Sequence, residues 1–468
     1  MDLDEILFEA LKILKPNVEE KLKIEKLLNE LLEHLRKCIG KLNLNLEVEV
    51  EGSIAKDTWL SGEQDIDVFI LFPKNSKKED LKGTILRLAE CVVGDKFIEA
   101  YAEHPYVELD YHGVKIDLVP CIKSSSIDEA KTAVDRTPFH TIYIKSNLSD
   151  NLKDEVRLLK GFMKGIGCYG AETKIKGFSG YLCELLVLYY GSFINVLRSS
   201  INWKPYSTLI DIEGYYKDAE EALKLFNAPL VVIDPVDRNR NVAAALSLES
   251  MSKFISASKF FLESPNLSFF QPKSIKPLST NELIEEIKRR GSNLIFIITK
   301  CPKVHSEILW GQLYRSLEGL KKLISNFDFK IINCDVWSDE KELIIFIFEL
   351  ENATLPSIKR HVGPPVYIQN EVKNFLNKYL NSPIVFLGPK IEDCRWVVYI
   401  KRKYTDVKRL LSEKILTARL GDLIKSSLKE RCVIIENEEI TKLYSSNNDF
   451  SIYLTNYLKG TYPWLTKE

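Results

Sequence analysis

Apolar positions change their spacing along the chain, and each change marks a different element. Between 18 and 37, Leu22, Leu27, Leu28, Leu31, Leu32 and Leu35 recur at three- and four-residue intervals, which predicts a helix with one buried face. Residues 3–14 read the same way, and Pro16 separates the two helices. Leu44-Asn45-Leu46-Glu47-Val48-Glu49-Val50-Glu51 alternates strictly, the pattern of a half-buried strand. Gly52-Ser53 then turns into a short helical segment. Asp67 to Phe72 predicts a strand ending at Pro73. Tyr106 to Asp110 and Val114 to Val119 predict a hairpin turning at His112-Gly113.

From about 150 the pattern becomes helical, with apolar stripes at 152–165, 179–194, 217–226 and 241–262. Residues 266–280 are rich in Pro and Ser and read as a linker. Beyond them come a strand at 294–299, a helix near 306–325 and strands at 329–336 and 343–350. A loop around Gly363-Pro364-Pro365, a helix at 370–380, strands at 383–388 and 395–403 and late helices follow. With 468 residues, roughly three domains are expected. The boundaries fall at 1–145, 146–264 and 281–468, with 266–280 as the linker, in an α+β multidomain chain.

Composition narrows this only slightly. The chain is 45% hydrophobic and 28% charged, ordinary for a soluble globular protein. No apolar run reaches the ~18 residues that a membrane helix needs, so no membrane is expected. The N-terminus is acidic and unlike a secretory signal, which points to the cytoplasm. Nine scattered cysteines form no C-x-x-C pair and are expected to be free, buried thiols. Net charge is −1, but residues 390–431 hold twelve Lys/Arg against six Asp/Glu, a local footprint suited to a phosphate backbone. A solvated helix face of mixed charge explains that segment equally well.

The chemistry is concentrated near residue 60. Asp65 and Asp67 stand two apart on a predicted strand, so their carboxylates share a face while Ile66 and Val68 face the core. Adjacent carboxylates repel, and a fold tolerates them mainly where a cation neutralises them. Oxygen ligands without His or Cys suit Mg²⁺, which takes one or two carboxylates plus substrate phosphates. Upstream, Gly52 allows close backbone approach, and Ser53 offers a hydroxyl and an N–H to phosphate oxygens. Lys56 and Thr58 follow one turn later. In 114–119 the apolar residues 114, 116 and 118 leave Asp117 on the opposite face, where it supplies the third carboxylate of a two-metal site.

Gly52-Ser53-x-x-Lys56-x-Thr58-x-Leu60-x-Gly62-x-x-Asp65-Ile66-Asp67-Val68-Phe69 resembles the signature of the archaeal class of CCA-adding enzymes, in the superfamily of DNA polymerase β and eukaryotic poly(A) polymerases. Arg136-Thr137-Pro138-Phe139-His140 resembles the segment whose His contacts nucleotide phosphates. Leu158-Leu159-Lys160-Gly161-Phe162 with Tyr169-Gly170 resembles the segment carrying a Lys and a Tyr for the triphosphate. Ser179-Gly180-Tyr181-Leu182-Cys183-Glu184-Leu185-Leu186 resembles the helix start near the incoming nucleotide. Asp234-Pro235-Val236-Asp237-x-x-Arg240-Asn241-Val242-Ala243 resembles the segment with the base-selecting Arg. Further on, Trp310-Gly311-Gln312-Leu313, Arg360-His361-x-Gly363-Pro364-Pro365-Val366 and Gly388-Pro389 with Arg395-Trp396 are similar to parts of a tRNA-binding body and tail. The resemblance covers roughly 20–430. Lys56 stands where many members carry Arg, which keeps the charge but loses the bidentate fork.

The resemblance implies a polymerase-β-like nucleotidyltransferase head, a helical neck and an α+β body and tail. It implies template-independent addition and repair of the 3′-terminal CCA of tRNA from CTP and ATP, with release of pyrophosphate. Asp65, Asp67 and Asp117 are then both catalytic and metal-binding, with Mg²⁺ as cofactor. Gly52, Ser53, Lys56, His140, Lys160, Tyr169, Ser179, Tyr181 and Arg240 bind nucleotide. The partner is tRNA, gripped by its acceptor and T stems, and the family is often dimeric through the tail. Lys401-Arg402-Lys403 and Lys408-Arg409 are the expected phosphate contacts, while Trp310 suits a core position as well as a tRNA contact. Poly(A) or oligoadenylate synthesis, or RNA binding without catalysis, would use the same scaffold.

Overall fold

A computed structural model describes residues 2–63, 65–101, 105–130, 132, 134–272 and 274–465. The chain forms two compact units, one of residues 1–274 with 461–468 and one of 275–460.

The first unit opens with α1 (Leu3–Leu14) and α2 (Val18–Lys41), each started by a capping box, from Asp2 with Glu5 and from Asn17 with Glu20. Strand β1 (Glu47–Glu51) runs into the short helix α3 (Gly52–Ala55), and β2 (Ile66–Phe72) follows. Then come α4 (Lys78–Val93), β3 (Phe97–Tyr101), β4 (Pro105–Tyr111) and β5 (Val114–Ile122). The β4–β5 turn lies at His112 and Gly113, both at positive φ (55° and 80°), as a two-residue hairpin loop requires. The sheet order is β1-β2-β5-β4-β3, with β2 and β5 parallel and the other pairs antiparallel. One face of it is buried: Ile66, Val68, Ile70, Ile116 and Leu118 pack with Leu31, Leu35, Ile85 and Leu88 of α2 and α4. Burying a set of this kind is worth about 1.5–3 kcal/mol per large side chain.

Between those two helices the expectation of free thiols fails. Cys38 and Cys91 are joined in a disulfide with Cα atoms 6.0 Å apart. Their partnership depends on α2 and α4 lying side by side, which no sequence spacing reveals.

Helices α5 (Thr137–Asn147), α6 (Asp150–Gly165), α7 (Gly180–Tyr190) and α8 (Phe193–Ser200) continue the unit. The remainder is not purely helical: β6 (Leu209–Ile210), α9 (Ala219–Phe226), β7 (Val231–Asp234) and β8 (Asp237–Asn241) precede α10 (Leu248–Glu263). The helix expected from 241 therefore starts only at Leu248, and Asp237–Asn241 is a strand antiparallel to β7. Asp237–Asn241 is polar throughout, so it carries no apolar period by which a short edge strand could be told from the polar start of a helix. The core here is aromatic, with Phe162 surrounded by Phe193, Phe254, Phe261, Phe269 and Phe270. Phe269 and Phe270 belong to the Pro- and Ser-rich stretch, whose first residues are thus packed into the core, and the unit boundary falls between Ser274 and Ile275.

The second unit contains α11 (Thr280–Arg290), β9 (Asn293–Lys300), α12 (Ser306–Asn326), β10 (Ile331–Ser338) and β11 (Leu343–Leu350). Next are β12 (Ile358–Pro365), α13 (Gln369–Tyr379), β13 (Val385–Glu392) and β14 (Arg395–Lys401). It ends with α14 (Val407–Lys414), α15 (Asp422–Glu430), β15 (Val433–Glu436), α16 (Thr441–Ser446) and α17 (Asn448–Lys459). Two sheets result, β10-β11-β9-β15 and β12-β14-β13. Gly363-Pro364-Pro365 ends strand β12 rather than forming a loop. Trp310 is 4% exposed in the core, with its indole N–H donated to Glu340 at 3.1 Å, which decides its structural role.

Candidate active site

The sheet register creates the site. Asp67 on β2 lies opposite Asp117 on β5, so the two carboxylates leave one face of neighbouring parallel strands. The same row continues to Glu51 on β1 and Glu108 on β4. Asp65 differs from the expectation: β2 begins at Ile66, and Asp65 stands exposed just before it. Freed from the strand, its side chain is not held by the pleat.

Gly52 has φ +70°, and a Cβ placed there would come within 2.0 Å of Asp67 Oδ2. Any larger residue would be strained and would occupy the carboxylate's space. Burial pushes Asp67 up to about 6, helped by repulsion from Asp65. Burial likewise pushes Asp117 up to about 7, against the pull of Lys115 and with the push of Asp67. Asp117 Oδ1 is buried with no hydrogen-bond partner among the described residues. An all-oxygen donor set with an orphaned carboxylate oxygen and two disfavoured negative charges fits a hard divalent cation. Among the described residues no three His, Cys, Asp or Glu side chains already form a closed ligand group. Substrate oxygens would have to complete the shell, as is usual for Mg²⁺.

All twelve residues singled out from the sequence line one cleft of about 620 Å³: Gly52, Ser53, Lys56, Asp65, Asp67, Asp117, His140, Lys160, Tyr169, Ser179, Tyr181 and Arg240. That is within the size range of small-molecule sites. Two buried carboxylates hold several of them, Glu184 in the cleft lining and Asp234 outside it, and sequence reasoning assigned neither a role.

Glu184 on α7 is fully buried. Its Oε2 accepts from Lys56 Nζ at 2.5 Å, and its Oε1 accepts from Thr58 Oγ1 at 2.6 Å and Lys160 Nζ at 3.4 Å. Lys160 also donates to the Thr58 carbonyl at 3.0 Å. Burial raises Glu184, but the two lysines outweigh it and hold the carboxyl below its usual range. Burial pulls Lys160 below the lysine range, opposed by Glu184. Two ammonium groups against one carboxylate leave the floor of the cleft with a net positive charge, suited to a polyanion. Lys164, one turn further along α6, is exposed and paired with Glu63, outside the cleft lining.

Asp234, at the end of β7, is the second. One of its oxygens takes His140 Nε2 at 2.9 Å and Arg240 Nη1 at 2.7 Å, and the other takes Tyr181 Oη at 3.2 Å and the Val236 N–H at 3.1 Å. Burial raises this carboxyl, yet His140 and Arg240 more than compensate and keep it ionised. An ionised carboxylate only accepts, so His140 donates through Nε2. Burial holds His140 below the usual histidine range, which makes the ring neutral near pH 7. The ring stacks on Tyr181 with centroids 4.2 Å apart. A lone acid in the apolar run Leu182–Val187, and another ending the apolar run Leu230–Ile233, were the available signals for Glu184 and Asp234.

In the second unit, Arg402 pairs with Asp328, Lys408 with Glu439 and Arg409 with Glu413, so these cations already have partners.

The family described as nucleotidyltransferase domain matches residues 32–140. That of the second domain of tRNA nucleotidyltransferase matches 154–271, and that of the C-terminal domain of CCA-adding enzymes matches 290–437. The CCA-adding enzyme of Methanosarcina barkeri is 39% identical over 458 residues, covering 97% of this chain and 98% of the relative. That of Pyrobaculum neutrophilum is 39% identical over 415 residues, covering 88% and 94%. That of Methanothermobacter thermautotrophicus is 41% identical over 372 residues, covering 79% and 80%. With the paired carboxylates of β2 and β5, the buried lysines and full-length similarity in agreement, this chain belongs to the family of archaeal CCA-adding enzymes, the tRNA nucleotidyltransferases.

Proposed function

We propose that this protein adds and repairs the 3′-terminal CCA of tRNA without a nucleic-acid template, joining CTP and ATP and releasing pyrophosphate. The observation that carries the reading is the pairing of Asp67 with Asp117 across parallel strands, with Gly52 closed against Asp67. Mg²⁺ held by Asp65, Asp67 and Asp117 would supply Lewis acidity toward the α-phosphate and the terminal 3′-hydroxyl.

The chain's own residues do the rest. Ser53 and the backbone beside Gly52 accept the triphosphate. Lys56 and Lys160 neutralise its charge from the cleft floor, where low dielectric strengthens each contact. Tyr169 reaches the same region: a Cβ at Gly180 would stand 3.2 Å from its hydroxyl and 3.6 Å from Lys160 Nζ. Ser179, the N-cap of α7, keeps that helix start in position by accepting from the Leu182 N–H at 3.1 Å. Tyr181 and His140 form one wall of the cleft, and Arg240 faces the base. The in-line geometry of the attacking hydroxyl is then a matter of positioning, a major source of rate enhancement.

The head (1–145) carries the chemistry, the neck (146–264) the nucleotide, and the body and tail (281–468) the tRNA acceptor and T stems. Shape and backbone recognition of such stems suits dispersed Lys and Arg. Lys401, at the end of β14, is exposed and the first candidate. Pairing through the tail into a homodimer, and action in the cytoplasm, complete the reading.

The deciding experiment offers tRNA lacking CCA with each labelled NTP in turn. Use of CTP and then ATP supports CCA addition. Growth of a homopolymer from ATP alone would favour the oligoadenylate class, and no incorporation would favour a binding protein.

A further inference from the structure

We infer that Asp234 is the positioning residue that sets base choice, acting through Arg240 and not by touching the nucleotide. The inference rests on the base-facing role proposed above for Arg240.

Cytosine and adenine both offer an exocyclic amino group beside a bare ring nitrogen on their pairing edge. Uracil and guanine offer a carbonyl beside a ring N–H. A guanidinium carries only donors, so a free one would serve the carbonyls of uracil and guanine as readily as the ring nitrogens of cytosine and adenine. Discrimination therefore requires its direction to be fixed, so that the wrong base leaves groups unpaired.

Asp234 is built for that. It is 0% exposed and absent from the cleft lining, whereas Arg240 is part of it. Arg240 Nη1 is committed to Asp234 at 2.7 Å, which leaves the other guanidinium N–H groups for a ligand. The carboxylate itself cannot swing, because each oxygen already holds two donors, His140 and Arg240 on one, Tyr181 and the Val236 N–H on the other. The hairpin carrying both residues is pinned as well. Asn241 accepts from the Val232 N–H at 2.9 Å and donates to the Leu230 carbonyl at 3.0 Å. A second aspartate–arginine pair, Asp237 with Arg136 at 3.0 Å, ties the hairpin to the start of α5.

The test is a double-mutant cycle on the full chain, using tRNA lacking CCA and comparing kcat/KM for CTP with that for UTP. Asp234→Asn keeps the volume and loses the charge, and should lower the CTP preference by about tenfold or more. Arg240→Ala should do the same, and the double variant should be no less selective than Arg240→Ala alone. Melting curves check that each variant is folded. Should Asp234→Asn not fold, Asp234→Glu replaces it, keeping the charge but displacing the oxygens, with the same loss expected. A preserved CTP preference in the Asp234 variant while Arg240→Ala loses it would overturn the inference, as would losses that multiply in the double variant. An equal fall for both nucleotides, the mark of a merely structural residue, would also overturn it. A preserved preference in Arg240→Ala would instead remove the base-facing role of Arg240, and this inference with it.

Discussion

Asp67 and Asp117 face each other across the parallel strands β2 and β5, buried enough that their carboxyls rise to about 6 and about 7. The pair is costly to the empty fold and useful only to something that brings positive charge.

Replacing Asp117 with Ala should abolish nucleotide addition, by at least about a thousandfold as for other groups acting on the reacting atoms. Binding of tRNA in a filter or gel-shift assay should change little. Normal turnover would displace Asp117 from the site.

The same burial gives a pH dependence to the metal-free protein. Asp67 binds a proton more tightly folded than unfolded, so between about pH 4 and 6 the folded state holds more protons and stability falls as pH rises. Asp67→Asn should therefore raise the melting temperature of chelator-treated protein at pH 8, by roughly 1–3 kcal/mol in stability. It should do little at pH 4. Equal effects at both pH values would contradict a half-buried Asp67 that titrates above the usual carboxylate range.

Gly52→Ala places a methyl group against Asp67 Oδ2 on a backbone at φ +70°. Strain of this kind costs on the order of 1–2 kcal/mol. The displaced carboxylate should cost far more activity than stability, read as kcat falling while the melting curve shifts only slightly.

Glu184→Ala leaves Lys56 and Lys160 buried without their shared counter-charge. Breaking a buried pair in this way costs about 3–5 kcal/mol. Chemical denaturation should show it, and Glu184→Gln, which keeps acceptor and volume, should lose less.

Two of the nine cysteines should be unreactive before reduction. Denatured, unreduced protein should titrate seven thiols and reduced protein nine, given the Cys38–Cys91 bridge and seven free cysteines. The bridge spans 53 residues, and opening it should lower stability by about 4 kcal/mol on the chain-entropy estimate. Nine reactive thiols without reductant would exclude the bridge.

Local pattern alone determined the strand of alternating residues up to Glu51, a strand from Asp67 to Phe72, the outward face of Asp117 and most helices of both units. These features depend on neighbours two to four positions away, where side-chain periodicity acts directly. The twelve cleft residues were legible for the same reason together with the resemblance their motifs carry. Tertiary structure decided what no spacing encodes. Lys56 meets Glu184 across 128 positions, and His140 meets Asp234 across 94, because α7 and β7 pack beside the catalytic loop and α5. Cys38 meets Cys91 only because α2 and α4 share the back of one sheet. Strand β8 was hidden because a short polar edge strand owes its conformation to the strand it pairs with, here β7. The paired carboxylates are written in the sequence as a motif, whereas Glu184 and Asp234, which hold the cations in place, exist only as partners, and partners are chosen by packing.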